Sequence, residues 1–244
     1  MRNIKLLIEY DGSKYYGWQK QPKTLTVQEN IELAINKTTN ENVTLFGSGR
    51  TDKGVHARGQ VANFHTNSRI PANKFRDALN CVLPDDISIR LSEEVDESFH
   101  SRYSALGKEY RYLIYNNKIR SPIYRNYSYH VPFNLDMKLM KEAARTFAGT
   151  HDFKAFMSSG SAVKNTVRTI HNISLEKDRD MIELKVSGNG FLYNMVRIMT
   201  GTLIEIGNER IDCNNVCDII ESKDRTKAGH TAPAQGLYLE KVLY

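Results

Sequence analysis

Apolar and polar positions interrupt one another from the first residues. Asn3–Tyr10, in the order Asn-Ile-Lys-Leu-Leu-Ile-Glu-Tyr, predicts a β-strand, and Asp11-Gly12-Ser13 supplies the turn that ends it. A loop through Tyr16-Gly17-Trp18-Gln19 follows. From Thr26 the period lengthens. Val27, Ile31, Leu33, Ala34 and Ile35 crowd one face, and Thr26 with Glu29 three residues later has the form of a capping box, so a helix is expected through Lys37. Strands are predicted at Val43–Phe46, at Gln60–His65 where Val61 and Asn63 alternate with their neighbours, and at Ile87–Ser92, with a helix over Pro71–Cys81. Gly47–Ala57 follows neither period and reads as a loop.

A strand–loop–helix order returns after about Ser104. Tyr110–Tyr115 has strand signals, a connection containing Pro and Tyr follows, and the helix Leu135–Phe147 is stopped by Gly149. Thr166–Leu175 and Met181–Val186 flank the charged stretch Glu-Lys-Asp-Arg-Asp, which predicts a hairpin. Phe191–Met199 is a strongly apolar helical stretch carrying one arginine, Arg197; Cys213–Ser222 suits a short helix and Leu237–Leu243 a closing strand. Strands and helices mix without strict βαβ alternation, which favours an α+β fold with mainly antiparallel sheet over a doubly wound one. No shift of composition marks a flexible linker, so the expectation is two halves, 1–103 and 104–244, sharing one continuous sheet.

Composition narrows the class. With 244 residues, 40% apolar and 25% charged, the chain is expected to fold around a substantial core, and disorder, collagen and coiled coil are excluded. No run of about 18 apolar residues occurs, and the start turns acidic at Glu9 before a signal-peptide stretch could develop, so a cytoplasmic protein without membrane attachment is expected. Three cysteines, Cys81, Cys213 and Cys217, lack paired zinc-ligand spacing and read as buried reduced thiols. Lysine and arginine outnumber the acids 34 to 28, for a net charge of +6. The excess is clustered: between Arg102 and Tyr129 lie six basic residues, one acid (Glu109) and seven of the thirteen tyrosines. Cations interleaved with flat rings suit a phosphate backbone with bases stacking nearby; a tyrosine-rich strand pair with solvated basic ends is the other reading.

The densest chemistry is Gly47-Ser-Gly-Arg-Thr-Asp-Lys-Gly-Val-His-Ala57. Three glycines in eight positions allow close backbone approach, and Arg50, Asp52 and Lys53 put opposite charges on one turn. The spacing fits neither GxxxxGK[ST] nor GxGxxG, no second carboxylate stands near enough in sequence for an acid pair, HExxH is absent, and the seven histidines show no ligand spacing. No metal or cofactor is therefore expected. A lone carboxylate is left as nucleophile or base, with an arginine keeping it ionised, or else Asp52 caps a turn and pairs with Arg50.

The string Gly49-Arg50-Thr51-Asp52-Lys53-Gly54-Val55-His56-Ala57 closely resembles the catalytic loop of the tRNA pseudouridine synthase A family. Other stretches resemble the same family in the same order: Asp11-Gly12 through Gly17-Trp18-Gln19, Lys108-Glu109-Tyr110-Arg111-Tyr112, His151-Asp152-Phe153 with Phe156, Arg168-Thr169-Ile170, Gly190-Phe191-Leu192-Tyr193-Asn194-Met195-Val196-Arg197, and Ala232-Pro233 through Gly236-Leu237-Tyr238-Leu239. They span nearly the whole chain. The resemblance implies two similar mixed α/β halves with a site in the cleft between them, Asp52 as nucleophile, Tyr110 stacked on the target base, Arg197 paired with Asp52, and Arg50 helping to extrude the nucleotide. It also implies a pocket position for Leu237, where a plain core role is the alternative. Lys53 is left between phosphate and solvent, Trp18 between packing under the loop and touching RNA, and His56 and His65 read as structural. The implied substrate is uridine at nucleotides 38 to 40 of the tRNA anticodon stem-loop, the implied assembly a homodimer, and the reaction an isomerisation that requires no cofactor. An RNA-binding protein of the same fold without catalysis is the competing class, and a hydrolase using Asp52 as base a weaker third.

Overall fold

In the computed structural model, which describes residues 1–160 and 163–244, strand β1 (Arg2–Tyr10) turns Ile4, Leu6, Ile8 and Tyr10 to one face, all of them buried, as two-residue periodicity requires. Helix α1 (Val27–Thr39) buries Val27, Ile31, Ala34 and Ile35 and ends where Asn40 takes a left-handed φ of 61°. Strand β2 (Phe46–Gly47) is shorter than the expected Val43–Phe46, because only these two residues pair with β3 (His56–Thr66). The backbone of Leu45 is taken by α1 side chains instead: its N–H donates to Glu32 and its carbonyl accepts from Gln28. Helix α2 (Phe75–Asn80) follows a 3-10 turn at Ala72–Lys74, and β4 (Ile87–Val95) runs antiparallel to β1. Phe64 of β3 meets Phe75 edge-on at 5.5 Å, both fully buried, which seats α2 on the sheet.

The second group of elements begins with β5 (Gly107–Asn116) and β6 (Tyr129–Val131), which pair in parallel. Helix α3 (Met137–Thr146) is capped by Asp136, whose carboxylate accepts from the N–H groups of Lys138 and Leu139. Strands β7 (Gly149–Asp152), β8 (Val167–Asp178) and β9 (Met181–Gly188) continue an antiparallel set in the order β5-β9-β8-β7. Arg179, at φ 52°, turns the β8–β9 hairpin, so the strands run further into the charged stretch than expected. Strands β6 and β7 have only three and four residues, too short for any periodicity to announce them.

Helix α4 (Met195–Gly207) starts later and ends later than Phe191–Met199. Asn194 stands at φ 60°, a conformation outside any α-helix, and this sets the start. Eleven of its thirteen residues are buried, so tertiary packing carries the helix through Gly201. Helix α5 (Val216–Ser222) buries Val216, Ile219 and Ile220. The cysteines correct the expectation of burial: Cys81 follows α2 and Cys217 lies on the outer side of α5, both exposed, while Cys213 is partly covered, and all three are free.

Strand β10 (Leu237–Leu243) pairs in parallel with β3 through Tyr238↔His56 and Leu239↔Ala57. The chain accordingly divides into one unit of Met1–Leu106 with Tyr238–Tyr244 and another of Gly107–Leu237, so the last strand returns to the first unit although the sequence division at 103/104 places it in the second. Each unit carries a mainly antiparallel sheet with helices, as an α+β chain should. Among the described residues no helix is long and apolar enough to cross a membrane.

Candidate active site

The loop between β2 and β3 is held from three sides. Below it lies Trp18, only 3% exposed; a Cβ on residue 47 would fall 2.4 Å from the indole Nε1, so Gly47 lets the backbone rest on the ring. Trp18 is thus a packing residue. At the side, Ser48 Oγ donates to Gln60 Oε1 (2.6 Å) while Gln60 Nε2 donates to the Gly49 carbonyl (3.0 Å). At the front, the Trp18 N–H donates to the Thr51 carbonyl and the Gly54 N–H to the Tyr15 carbonyl, each at 3.2 Å. The approach depends on Gly17 at φ +93°, where a Cβ would lie 2.4 Å from the Thr51 oxygen. Thr51 Oγ1 and the Tyr10 hydroxyl are hydrogen-bonded at 2.8 Å.

Within this frame the Val55 N–H donates back to the Asp52 carbonyl (3.1 Å), and Gly54 at φ 79° closes the tight turn. Asp52 is half-buried on that turn. Arg50 is exposed, with no hydrogen bond or ion pair to any described residue, so Asp52 is not simply paired with Arg50. Lys53 is exposed with its Nζ 3.9 Å from the centroid of the Tyr16 ring, a cation–π contact that leaves the ammonium at the surface. His56 is buried and stacked on Tyr238 at 4.8 Å, with its Nδ1 3.1 Å from both the Gly12 nitrogen and an Asp11 carboxylate oxygen, so it is packed into the fold behind the loop.

The second unit gathers the other expected residues. Tyr110 on β5 is 8% exposed and receives the Phe191 ring edge-on at 5.0 Å. Arg197 on α4 is fixed at two points: Nε donates to the Ala232 carbonyl (2.7 Å) and an Nη to Asn194 Oδ1 (2.6 Å). Asn194 in turn donates to Ser158 Oγ (2.9 Å). The segment that carries Ala232 is itself tied to α4. The Ala232 N–H donates to the Arg197 carbonyl (3.1 Å), the Gly229 N–H to Thr202 Oγ1 (2.9 Å), and Gly201 has no Cβ that would strike the His230 carbonyl at 1.8 Å. Beyond it the Tyr112 hydroxyl donates to the Pro233 carbonyl (2.7 Å); burial pushes this phenol well above its ordinary pKa, partly opposed by the Arg197 charge, so it remains a donor. Leu237 is buried and follows Gly236, which passes so close to Tyr112 that a Cβ would lie 2.6 Å from the ring.

A family model described as tRNA pseudouridine synthase matches residues 6–104 and 143–244. The chain belongs to the tRNA pseudouridine synthase family. Relatives named tRNA pseudouridine synthase A are similar over the full length of both chains: that of Acetivibrio thermocellus is 56% identical over 244 residues, and that of Thermoanaerobacter sp. (strain X514) 52% over 244. A protein of Clostridium tetani named tRNA pseudouridine synthase A 2 is 54% identical over 245 residues, covering all of this chain and 99% of its own.

In this pseudouridine synthase chain, Asp52, Arg50 and Lys53 stand in the first unit and Tyr110, Arg197 and Leu237 in the second. Sequence reasoning assigned no role to Tyr16, Gly17, Phe191 or Asn194, which hold or face these residues. Two had a signal: Gly17 is a lone glycine between two aromatics, and Asn194 precedes an apolar helical run as a capping residue would. Among the described residues no group of three His, Cys, Asp or Glu side chains is gathered to hold a metal ion.

Proposed function

We propose that this protein isomerises uridine to pseudouridine in tRNA, acting at nucleotides 38 to 40 of the anticodon stem-loop, in the cytoplasm and as a homodimer. The carrying observation is the full-length match to relatives of that name together with an aspartate set on a turn that its own chain clamps from three sides. Uridine and pseudouridine are isomers: the N1–C1′ bond breaks, uracil turns, C5 bonds to C1′, and the proton lost from C5 is balanced by one gained at N1. Oxidant and phosphate donor have no place in that balance.

Asp52 is the group that acts on the ribose, either attacking C1′ or taking a sugar proton, and both require an ionised carboxylate. Arg197 pairs with it and favours that form. The uracil must be held while unbonded. The Tyr110 ring, itself braced by Phe191, serves as a stacking face that leaves rotation in the plane free, a contact of about 1–3 kcal/mol. Leu237 lines the uracil pocket. The target nucleotide must first leave its stack at a cost of a few kcal/mol, which Arg50 offsets by filling the gap and Lys53 by meeting phosphate.

The test is direct. Purified protein is incubated with unmodified tRNA without added cofactor, and pseudouridine is mapped along the product. Product at nucleotides 38 to 40 is expected, and none from Asp52→Ala, which should still bind tRNA. Turnover by that variant removes Asp52 from the chemistry; binding without turnover by the unaltered protein favours the non-catalytic class.

A further inference from the structure

The last turns of β5 and the chain after it form a groove that the uridine chemistry leaves unused. It has a volume of about 440 Å³ and is lined by Tyr115, Arg120, Tyr124, Arg125, Ser128 and His130 with the short Ser121-Pro122 segment. That volume lies within the range of roughly 300–1,000 Å³ usual for sites that take a small molecule or one unit of a polymer. The Tyr115 ring stands 5.6 Å from that of Tyr124 and 6.0 Å from that of His130, so three flat rings converge on one space.

The walls are built by their own chain. The Tyr124 carbonyl accepts from the Tyr127 and Ser128 N–H groups, each at 3.0 Å, and from Ser128 Oγ; Arg125 donates to the Pro122 carbonyl (2.7 Å); His130 Nε2 is 2.8 Å from the Asn117 carbonyl. The charge is one-sided. From Tyr110 to Leu135 there is no acidic residue, while Arg111, Lys118, Arg120 and Arg125 are all basic. Among the described residues no carboxylate pairs with Lys118, Arg120 or Arg125. The Asp180 carboxylate accepts from the neutral Asn117 side chain at 3.0 Å.

The groove is also apart from the base-stacking tyrosine. Tyr110 and Tyr115 lie on one strand five positions apart, hence roughly 16 Å from each other and on opposite faces of the sheet. We propose that this groove is a second RNA subsite, taking one nucleotide of the bound tRNA other than the reacting uridine, its base against Tyr115, Tyr124 and His130 and its phosphate on Arg120 and Arg125. The proposal rests on the tRNA reading above. Rings supply sequence-tolerant stacking and guanidiniums supply phosphate contacts, the two ingredients of single-nucleotide capture. A phosphate-bearing occupant suits the groove better than a second copy of the chain, because Arg120 and Arg125 stand there without a carboxylate partner among the described residues.

The experiment compares tRNA binding by the full-length protein, by Arg120→Ala/Arg125→Ala, by Tyr124→Ala and by Tyr124→Phe across a salt series, with sedimentation of each. The arginine double variant should bind at least about tenfold more weakly, and the slope of log affinity on log salt should become shallower by about 1–2. Tyr124→Ala should lose about tenfold with its slope unchanged, and Tyr124→Phe should keep the affinity, because a phenyl ring stacks as a phenol does. Affinity and slope equal to the unaltered protein in all three variants overturn the subsite. A change of oligomeric state that accounts for the loss also overturns it and makes the groove an interface between copies. Uridine monophosphate is titrated in parallel: tight binding of the free nucleotide, abolished by the variants while tRNA affinity is untouched, assigns the groove to a free ligand and overturns the RNA source. If the unaltered protein makes pseudouridine while the variants bind tRNA normally, only the subsite fails; if it makes none while the variants lose affinity, only the catalytic reading fails.

Discussion

The roles proposed for Asp52, Arg197 and Tyr110 differ, and their substitutions should separate. In the proposed function the Tyr110 ring stacks on the target base while most of the affinity for tRNA comes from phosphates, so Tyr110→Ala should lower turnover far more than binding; single-turnover rates and filter binding measured on one preparation check this. Equal losses would make the ring part of the general RNA platform. Gly17 makes a sharper case because it touches no substrate. An alanine there must adopt φ +93° and meet the Thr51 carbonyl at 2.4 Å, so Gly17→Ala should destabilise the protein by about 2 kcal/mol or more and lower Tm by about 4–8 °C, seen by calorimetry. Turnover should fall with it, because the Thr51–Lys53 backbone is what the glycine admits. At this scale residue types in one loop singled out Asp52, and the family resemblance pointed to Tyr110 and Arg197. Gly17 stood out only as a lone glycine between two aromatics, and the reason for it stayed hidden, because the need for a missing Cβ arises from a neighbour more than thirty residues along the chain.

Elements set which way those side chains are presented. Helix α4 begins at Met195 only because Asn194 accepts a left-handed φ, and the same residue receives the Arg197 guanidinium. Asn194→Gly keeps the backbone conformation and deletes both the 2.6 Å bond from Arg197 and the 2.9 Å bond to Ser158. A hydrogen bond to a charged group contributes about 1.5–3 kcal/mol, so Tm should fall by several degrees, and the loosened Arg197 should lower the rate at saturating tRNA about tenfold or more with KM changing little. A loss of Tm without a loss of rate would make Asn194 a folding residue. Periodicity located β1, α1, α3 and the β8–β9 hairpin because one face of each is buried against a core. It mislaid the ends of β2 and α4, where Leu45 is drawn off by α1 side chains and Thr200–Gly207 is held helical by burial, since neither cause is local.

Across the whole molecule, the chain's last residues complete its first unit. Strand β10 lies parallel to β3; Tyr238 stacks on His56, the Leu106 N–H donates to the Leu243 carbonyl (2.8 Å) and the Tyr244 hydroxyl to the Ser101 carbonyl (2.7 Å). Deleting Tyr238–Tyr244 should therefore expose β3 and loosen the loop of Asp52, while the helices of the Gly107–Leu237 unit keep their protection; hydrogen exchange followed by mass spectrometry distinguishes this from fraying confined to the C-terminus. The residues alone determined the α+β class, the loop that carries Asp52 and the family, because these depend on local period and on residue types in a fixed order. Tertiary structure alone decided that Trp18 lies under the loop, that Arg197 is held by Asn194 and Ala232, that the cysteines face outward and that the final strand returns to the first unit. Each of these depends on which distant segments come within a few ångströms of one another, and chain spacing carries no measure of that.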